Sequence, residues 1–302
     1  MSPERCQTVW HRSGQSRGRG KMKVYEEHSS EKFPKFLTGF GSLPIVSKYA
    51  QKAIRMMSDE TDVDFTTISK IIDRDPGIAS RIVIMANSVA YQASTRSKKV
   101  FTTKEALIRI GITGAKTIIL TESIYDFIKG DDNTDIVARH SFHTASLARM
   151  ISIQSKSCDQ EEAFSIGLLH DIGFIAFCIF NRMQNNKTPS FRKLSDERDY
   201  YGITHAETGK RLLKMWDFDE IYLSAINAHH IHSNHTYELP IVSVLKLADL
   251  ISCEFYKSTD MEMPESEKQK LLNNALSNLR LTLPDIERIK TEYLNGQKDS
   301  DD

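Results

Sequence analysis

The chain has 302 residues, of which 40% are apolar and 26% are charged, as in an ordinary soluble globular protein that can bury a sizeable core. Its 40 basic and 40 acidic residues cancel, so the composition gives no sign of a nucleic-acid or anionic-membrane partner. The four cysteines have no C-x-x-C spacing, which argues against a disulfide framework and a thiolate zinc site and suits a reducing cytoplasm.

Hydropathy argues against a membrane protein. The longest apolar run, 163–180, is interrupted by His170 and Asp171, so we expect no segment with the roughly 18 uninterrupted apolar residues of a membrane span. The beginning of the chain lacks the apolar region of a signal peptide. We therefore predict a cytoplasmic protein without a membrane partner.

The first third of the chain predicts a polar extension followed by short helices. Residues 1–30 are basic and poor in apolar side chains, which is typical of a disordered tail. Residues 33–130 predict an N-terminal helical subdomain, in which Pro44 and the Asp75-Pro76 pair mark two helix starts. A capping box at Thr102-x-x-Glu105 begins a further helix, which should break at the next glycine, Gly111.

The turn at Gly111 raises the alternative of a DNA-binding helix-turn-helix. The following helix, around residues 115–121, is apolar nearly all round, whereas a recognition helix presents polar side chains to base edges. This pattern makes a DNA-binding regulator the weakest interpretation.

A polar break at 131–133 predicts a second subdomain over residues 134–256, and residues 257–302 predict amphipathic helices with a polar tail. We find no convincing strand alternation, so the predicted fold is an all-α, multi-helix bundle. Within the second subdomain, a capping box at Thr204-x-x-Glu207 places His205 in the first turn of a helix.

Five predicted helices of this subdomain carry side chains that ligate metals. These are His140, His170 with Asp171, His205, His229 with His230, and Asp249. Buried imidazoles and carboxylates are costly unless something satisfies them, and a helical bundle can point such groups at one interior position. The set predicts one or two divalent ions such as Fe, Mn or Zn. An isolated His-Asp pair is more often hydrogen-bonded to backbone at a helix end, and His143 is more simply a packing or surface histidine.

The order His, His-Asp, Asp resembles the HD superfamily of metal-dependent phosphohydrolases. More closely, residues 36–249 resemble the HDOD domain, an HD-related output domain of bacterial signalling proteins. The matching stretches are Leu43-Pro44, the Asp75-Pro76 helix, 85–88, 105–111, His140-Ser141, 163–173, 205–209 and 225–230.

The resemblance implies a ligand set and also marks departures from it. His140, His170, Asp171 and Asp249 match the superfamily's metal-binding pattern. The second-metal set, His205, His229 and His230, matches the extra histidines of the cyclic-dinucleotide phosphodiesterase branch. That branch has a Lys where this chain has Phe174, a Glu where it has Ile136, and a Gly-Tyr-Pro motif that is absent after His230.

Two function classes follow from this resemblance. The first is a bacterial signalling module that acts through partner proteins and binds a nucleotide or metal. The alternative is a metal-dependent phosphohydrolase acting on a nucleotide or phosphodiester through a hydroxide generated by the metal; only a histidine such as His205 is then available as the acid. The sequence does not give the oligomeric state.

Overall fold

The computed structural model describes residues 29–40, 47–59, 64–92, 98–128, 132–189, 193–216, 218–231, 238–256 and 263–298. Over these ranges the chain forms helices joined by turns and short links, and no strand occurs in them. The all-α class is therefore confirmed. The predicted helix start at Pro44 and nearly all of the predicted basic extension lie outside the described residues.

The first part of the chain contains the helices α1 (Ser29–Phe40), α2 (Lys48–Asp59), α3 (Phe65–Ile72), α4 (Pro76–Ala86), α5 (Val89–Gln92) and α6 (Thr103–Ile128). The predicted caps are present. The Asp75 carboxylate accepts from the Ile78 amide at 3.4 Å, and Thr102 Oγ1 accepts from the Glu105 amide at 3.2 Å. Gly111 interrupts α6 with φ 77° and ψ 175°, a conformation that only glycine adopts readily.

The second part contains α7 (Asp132–Ser155), α8 (Gln160–Leu169), α9 (Ile172–Met183), α10 (Leu194–Tyr201), α11 (His205–Met215), α12 (Glu220–Ala228), α13 (Pro240–Tyr256), α14 (Glu265–Leu279) and α15 (Leu283–Lys298). The capping box at the start of α11 is formed as expected, because Thr204 and Glu207 each accept from the other's amide. Helix α7 begins at Asp132, so two of the three residues of the predicted polar break are helical.

Helices α7 and α8 form a close antiparallel pair at the centre of the molecule. A Cβ atom on Gly167 of α8 would lie 2.6 Å from the Cα atom of Ala145 on α7, so only glycine permits this approach. The seven residues of α8 from 163 to 169 are all buried. The pair therefore holds His140 of α7 and His170, which follows α8, at a fixed separation.

Helix α1 packs on the second part of the chain. The Phe33 ring is fully buried against Phe177 of α9 at 4.9 Å and Tyr201 of α10 at 5.2 Å between ring centroids. Helix α1 thus contacts helices beyond residue 134. A division into subdomains near residues 130–134 stays a prediction.

One stretch in the described part, Gln160–Met183, is long and apolar enough to cross a membrane by length and composition. This corrects the expectation that His170 and Asp171 would disqualify it. However, 94% of its apolar window is buried inside the fold, as in the core helices of soluble proteins. The cytoplasmic location stays a prediction.

A buried ion pair joins α5 to the α7–α8 pair. The Arg149 guanidinium, 3% exposed as a residue, donates to Glu161 Oε1 at 2.8 and 3.1 Å and to the Ala90 carbonyl at 2.6 Å. The Tyr91 hydroxyl donates to Glu161 Oε2 at 2.8 Å. Charge-assisted bonds of this kind are strong when the cation is kept from water, so Glu161 balances the charge of the Arg149 guanidinium.

Glu161→Ala should lower the free energy of unfolding by about 2–4 kcal/mol, because it leaves the Arg149 guanidinium buried without its counter-ion. Urea denaturation followed by circular dichroism measures this change. Glu162→Ala is the matched control, since Glu162 is the next carboxylate along α8 and lies outside the ion pair. Equal midpoints for the two variants would show that the ion pair does not stabilise the fold.

Candidate metal centre

A first group of side chains combines two histidines with two carboxylates. His140 Nε2 lies 2.9 Å from Asp249 Oδ1 and 3.2 Å from His170 Nε2. His170 Nε2 lies 3.2 Å from Asp171 Oδ2. Both imidazoles are buried and come from α7 and the α8–α9 junction, whereas Asp249 comes from α13. Three separate parts of the chain therefore direct donor atoms to one position.

A second group surrounds the other oxygen of the same carboxylate. Asp171 Oδ1 lies 3.5 Å from His205 Nε2 and 3.7 Å from His229 Nε2. His230 Nε2 lies 2.9 Å from His205 Nε2. The seven residues singled out from the sequence thus converge in two adjacent groups, and Asp171 belongs to both.

The spacing of these atoms suits divalent ions. Nitrogen and oxygen ligands about 2.1 Å from one ion lie about 3.0–3.4 Å from each other at octahedral or tetrahedral angles. Donor atoms of His140, His170 and Asp171 lie within 4.8 Å of one another, and so do those of Asp171, His205, His229 and His230. His229 Nε2 is buried and has no hydrogen-bond partner among the described residues, a condition that native proteins avoid. An ion in each group would satisfy these atoms, so the residues present fit the cofactor.

Backbone carbonyls orient two of the imidazoles. His170 Nδ1 lies 2.8 Å from the Gly167 carbonyl, and His229 Nδ1 lies 2.5 Å from the Ile226 carbonyl. A carbonyl oxygen only accepts, so each Nδ1 carries the proton, and in the neutral ring each Nε2 presents its lone pair to the group. Metal-binding histidines generally have this arrangement.

Side chains orient two more imidazoles. Ser252 Oγ lies 3.1 Å from His140 Nδ1. The Glu197 carboxylate accepts from His205 Nδ1 at 2.8 Å and from the His205 amide at 2.8 Å. Glu197 is only 3% exposed. Sequence reasoning missed both residues, since neither has a spacing that links it to the histidine it contacts.

Close helix packing places His205 beside Asp171. A Cβ atom on Gly173, in the first turn of α9, would lie 1.9 Å from the His205 carbonyl and 2.7 Å from the Gly209 amide of α11. The capping box of α11 fixes His205 at the first helical position. The glycine of the His-Asp-x-Gly segment therefore lets the helix starts that carry Asp171 and His205 approach each other.

The pKa directions differ among the histidines of the centre when they are considered without an ion. Burial lowers the pKa of His205, but the Glu197 and Asp171 carboxylates outweigh it and raise this pKa. Burial lowers the pKa of His170, but the Asp171 and Asp249 carboxylates outweigh it and raise this pKa to about 9. Burial, together with neighbouring histidines, lowers the pKa of His229 and His230. At neutral pH the first group thus holds a proton that an ion must displace, whereas His229 and His230 are already neutral.

His143, predicted to be a packing or surface histidine, is buried against α15. Its Nδ1 contacts the Tyr293 hydroxyl and lies 3.1 Å from Gln297 Nε2. Burial, reinforced by the charges of His140 and Arg139, lowers the pKa of His143 to about 3. It therefore packs as a neutral ring. His232 and His235 lie outside the described residues.

Glu197→Gln should weaken metal binding at the second group by about 10–100-fold, because the loss of an orienting carboxylate lowers the basicity and order of the ligand. Isothermal titration of metal-free protein measures the affinity. Glu207→Gln is the control, since glutamine preserves the α11 capping box. If both variants bind metal like the unmodified protein, Glu197 does not orient a ligand.

Comparisons with known proteins agree with the fold. A family model described as the HDOD domain matches residues 43–232. A solved HDOD domain protein of unknown function from Geobacter sulfurreducens is 18% identical with a TM-score of 0.62, over 89% of this chain and 96% of that chain. A candidate metal-dependent phosphohydrolase from Shewanella amazonensis SB2B is 18% identical with a TM-score of 0.57, over 86% and 99%.

A third solved structure, named as a candidate signal transduction protein from Marinobacter aquaeolei VT8, is 18% identical with a TM-score of 0.56. The match covers 88% of this chain and 59% of that chain. No curated protein matches this chain at a significant level. At this identity the solved structures show the fold alone.

Proposed function

The chain belongs to the HDOD domain family, and from this premise we propose that it is a signalling module whose fold is built around a two-ion metal centre. The observation that carries the proposal is the position of Asp171. Its two carboxylate oxygens face two separate groups of donor atoms, as expected of a carboxylate that bridges two ions. His140, His170 and Asp249 would hold the first ion, and His205, His229 and His230 the second.

The donor set suits Fe, Mn or Zn. Imidazole and carboxylate ligands together favour these transition metals over Ca²⁺ or Mg²⁺, which prefer all-oxygen sites. The second group has three imidazoles, so it should select more strongly than the first group for ions that prefer nitrogen ligands. The fit supports one or two ions without fixing their identity.

Among the described residues of the centre, Asp249 and His230 have the most exposed side chains. The Asp249 side chain is 16% exposed, whereas those of His140 and His170 are 1% and 0% exposed. His230 is also only partly buried. An anionic ligand such as a nucleotide phosphate would approach between Asp249 and His230, and a partner protein would sense the ligand at this surface.

The bridging position of Asp171 also favours a second candidate function, a phosphohydrolase acting on a nucleotide or phosphodiester. Bound divalent ions polarise phosphoryl oxygens and lower the pKa of water. Two features weigh against it. His205 Nε2 faces Asp171 at 3.5 Å, so as a ligand it carries no proton for a leaving group. Phe174 packs on Phe177 and supplies no charge to a phosphate.

Elemental mass spectrometry of protein purified without chelator tests the proposal. We expect one or two equivalents of Fe, Mn or Zn, and His170→Gln should lose the ion of the first group while its circular dichroism spectrum stays helical. Protein without bound metal would refute the metal centre. Turnover of nucleotides or phosphodiesters that His170→Gln abolishes would replace the signalling module with the phosphohydrolase.

A further inference from the structure

We propose that Cys253 supplies a sulfur ligand to the ion of the first group; this inference rests on the proposed metal centre. Cys253 lies four residues after Asp249, on the same face of α13. Its Sγ atom is 3.7 Å from Asp249 Oδ1. Donor atoms of His140, Asp249 and Cys253 all lie within 4.8 Å of one another.

The distance between sulfur and oxygen fits two ligands of one ion. With metal–sulfur and metal–oxygen bonds of about 2.3 and 2.1 Å, the two atoms lie about 3.1–3.8 Å apart for angles of 90–120°. The observed 3.7 Å is within this range, and without an ion the Cys253 thiol donates a hydrogen bond to this oxygen.

Cys253 lies on the less buried side of the first group. It is half-buried, like Asp249, whereas His140 and His170 are buried. The intervening Ser252 contacts His140 Nδ1 at 3.1 Å. One turn of α13 thus carries a carboxylate, a hydroxyl that orients an imidazole, and a thiol, and the carboxylate and the thiol are only partly buried.

On binding, the thiol would release its proton to solvent and the sulfur would coordinate as a thiolate. A single soft donor added to imidazole and carboxylate favours Zn²⁺ or Fe²⁺ over Mn²⁺. It would also occupy one coordination position of the first ion. The absence of C-x-x-C spacing argues against an all-thiolate site and does not bear on one sulfur in a mixed site.

Cobalt substitution of the full chain tests the inference. Co²⁺ added to metal-free protein should give visible d–d bands and a near-ultraviolet sulfur-to-cobalt charge-transfer band. Cys253→Ser should lose the charge-transfer band, keep the d–d bands, and prefer Zn²⁺ over Mn²⁺ about tenfold less than the unmodified protein. Cys158→Ser is the matched control and should keep both sets of bands, since Cys158 contacts Ser152 at the end of α7.

The outcomes separate this inference from the metal centre itself. Bound cobalt without a charge-transfer band, or a band that persists in Cys253→Ser, would overturn the role of Cys253 and leave the centre standing. No cobalt bound to the unmodified protein would overturn both. X-ray absorption of the metal-loaded unmodified protein needs no variant: a sulfur shell at about 2.3 Å supports the ligand, and a shell of nitrogen and oxygen alone refutes it.

Discussion

Asp171→Asn should remove metal from both groups, whereas other single ligand changes should remove it from one. Asp171 Oδ2 lies 3.2 Å from His170 Nε2, and Oδ1 lies 3.5 Å from His205 Nε2. An amide has one oxygen, can serve only one ion, and lacks the negative charge that both ions would share. Because changes to orienting residues alone weaken metal binding by about 10–100-fold, we expect losses of at least about 100-fold here.

Metal content of matched variants measures this effect. Asp249→Asn should lower the content at the first group, and His230→Gln should lower it at the second, each leaving the other ion bound. Asp171→Asn should retain well under one equivalent at an unchanged helical content by circular dichroism. If it keeps as much metal as the unmodified protein, Asp171 does not bridge two ions.

Local signals in the sequence predicted much of the fold. The Asp75-Pro76 cap and the capping boxes at Thr102 and Thr204 are confirmed as helix starts, because a cap depends on residues within one turn. The family also followed from local motifs, and the match over residues 43–232 confirms it. Short sequence patterns were thus sufficient to predict the fold class, the helix starts and the family.

Contacts between distant parts of the chain could not be predicted in this way. Glu197 lies in a charged stretch that is typical of a solvated surface, yet it is buried against His205. It becomes internal because α10 is covered by α1, where Phe33 contacts Tyr201. The pairing of His143 with Tyr293 likewise spans 150 residues. Such contacts leave no periodic pattern in the sequence, because they arise from the packing of whole helices.

The arrangement of the candidate ligands could be predicted from the sequence only in part. We predicted that they converge because a helical bundle can direct polar side chains from several helices to one interior position. In the structure all seven candidate ligands do lie close together. The spacing of the candidate ligands in the sequence did not predict their division into two groups or the proximity of Cys253 to Asp249. Both depend on angles between helices, and the role of each residue as a ligand stays a prediction.

Gly173→Ala should destabilise the fold by about 3 kcal/mol, at the upper end of the usual cost of overpacking, and displace the second group. The added Cβ would lie 1.9 Å from the His205 carbonyl and 2.7 Å from the Gly209 amide. Both are backbone atoms, so no rotamer change relieves the overlap, and overpacking of this kind costs about 1–3 kcal/mol or more. Helices α9 and α11 must move apart, which carries His205 away from Asp171.

Thermal and urea unfolding measure the stability, and the metal content of the folded fraction measures the displacement. Gly39→Ala is the matched control, since a Cβ at Gly39 of α1 meets nothing within 4 Å and alanine favours a helix by up to about 1 kcal/mol. Unchanged stability of Gly173→Ala would mean that α9 and α11 are less closely packed than described. A stable variant that still binds two ions would contradict the predicted displacement of the second group. The ions, rather than the close packing at Gly173, would then determine where the ligands lie.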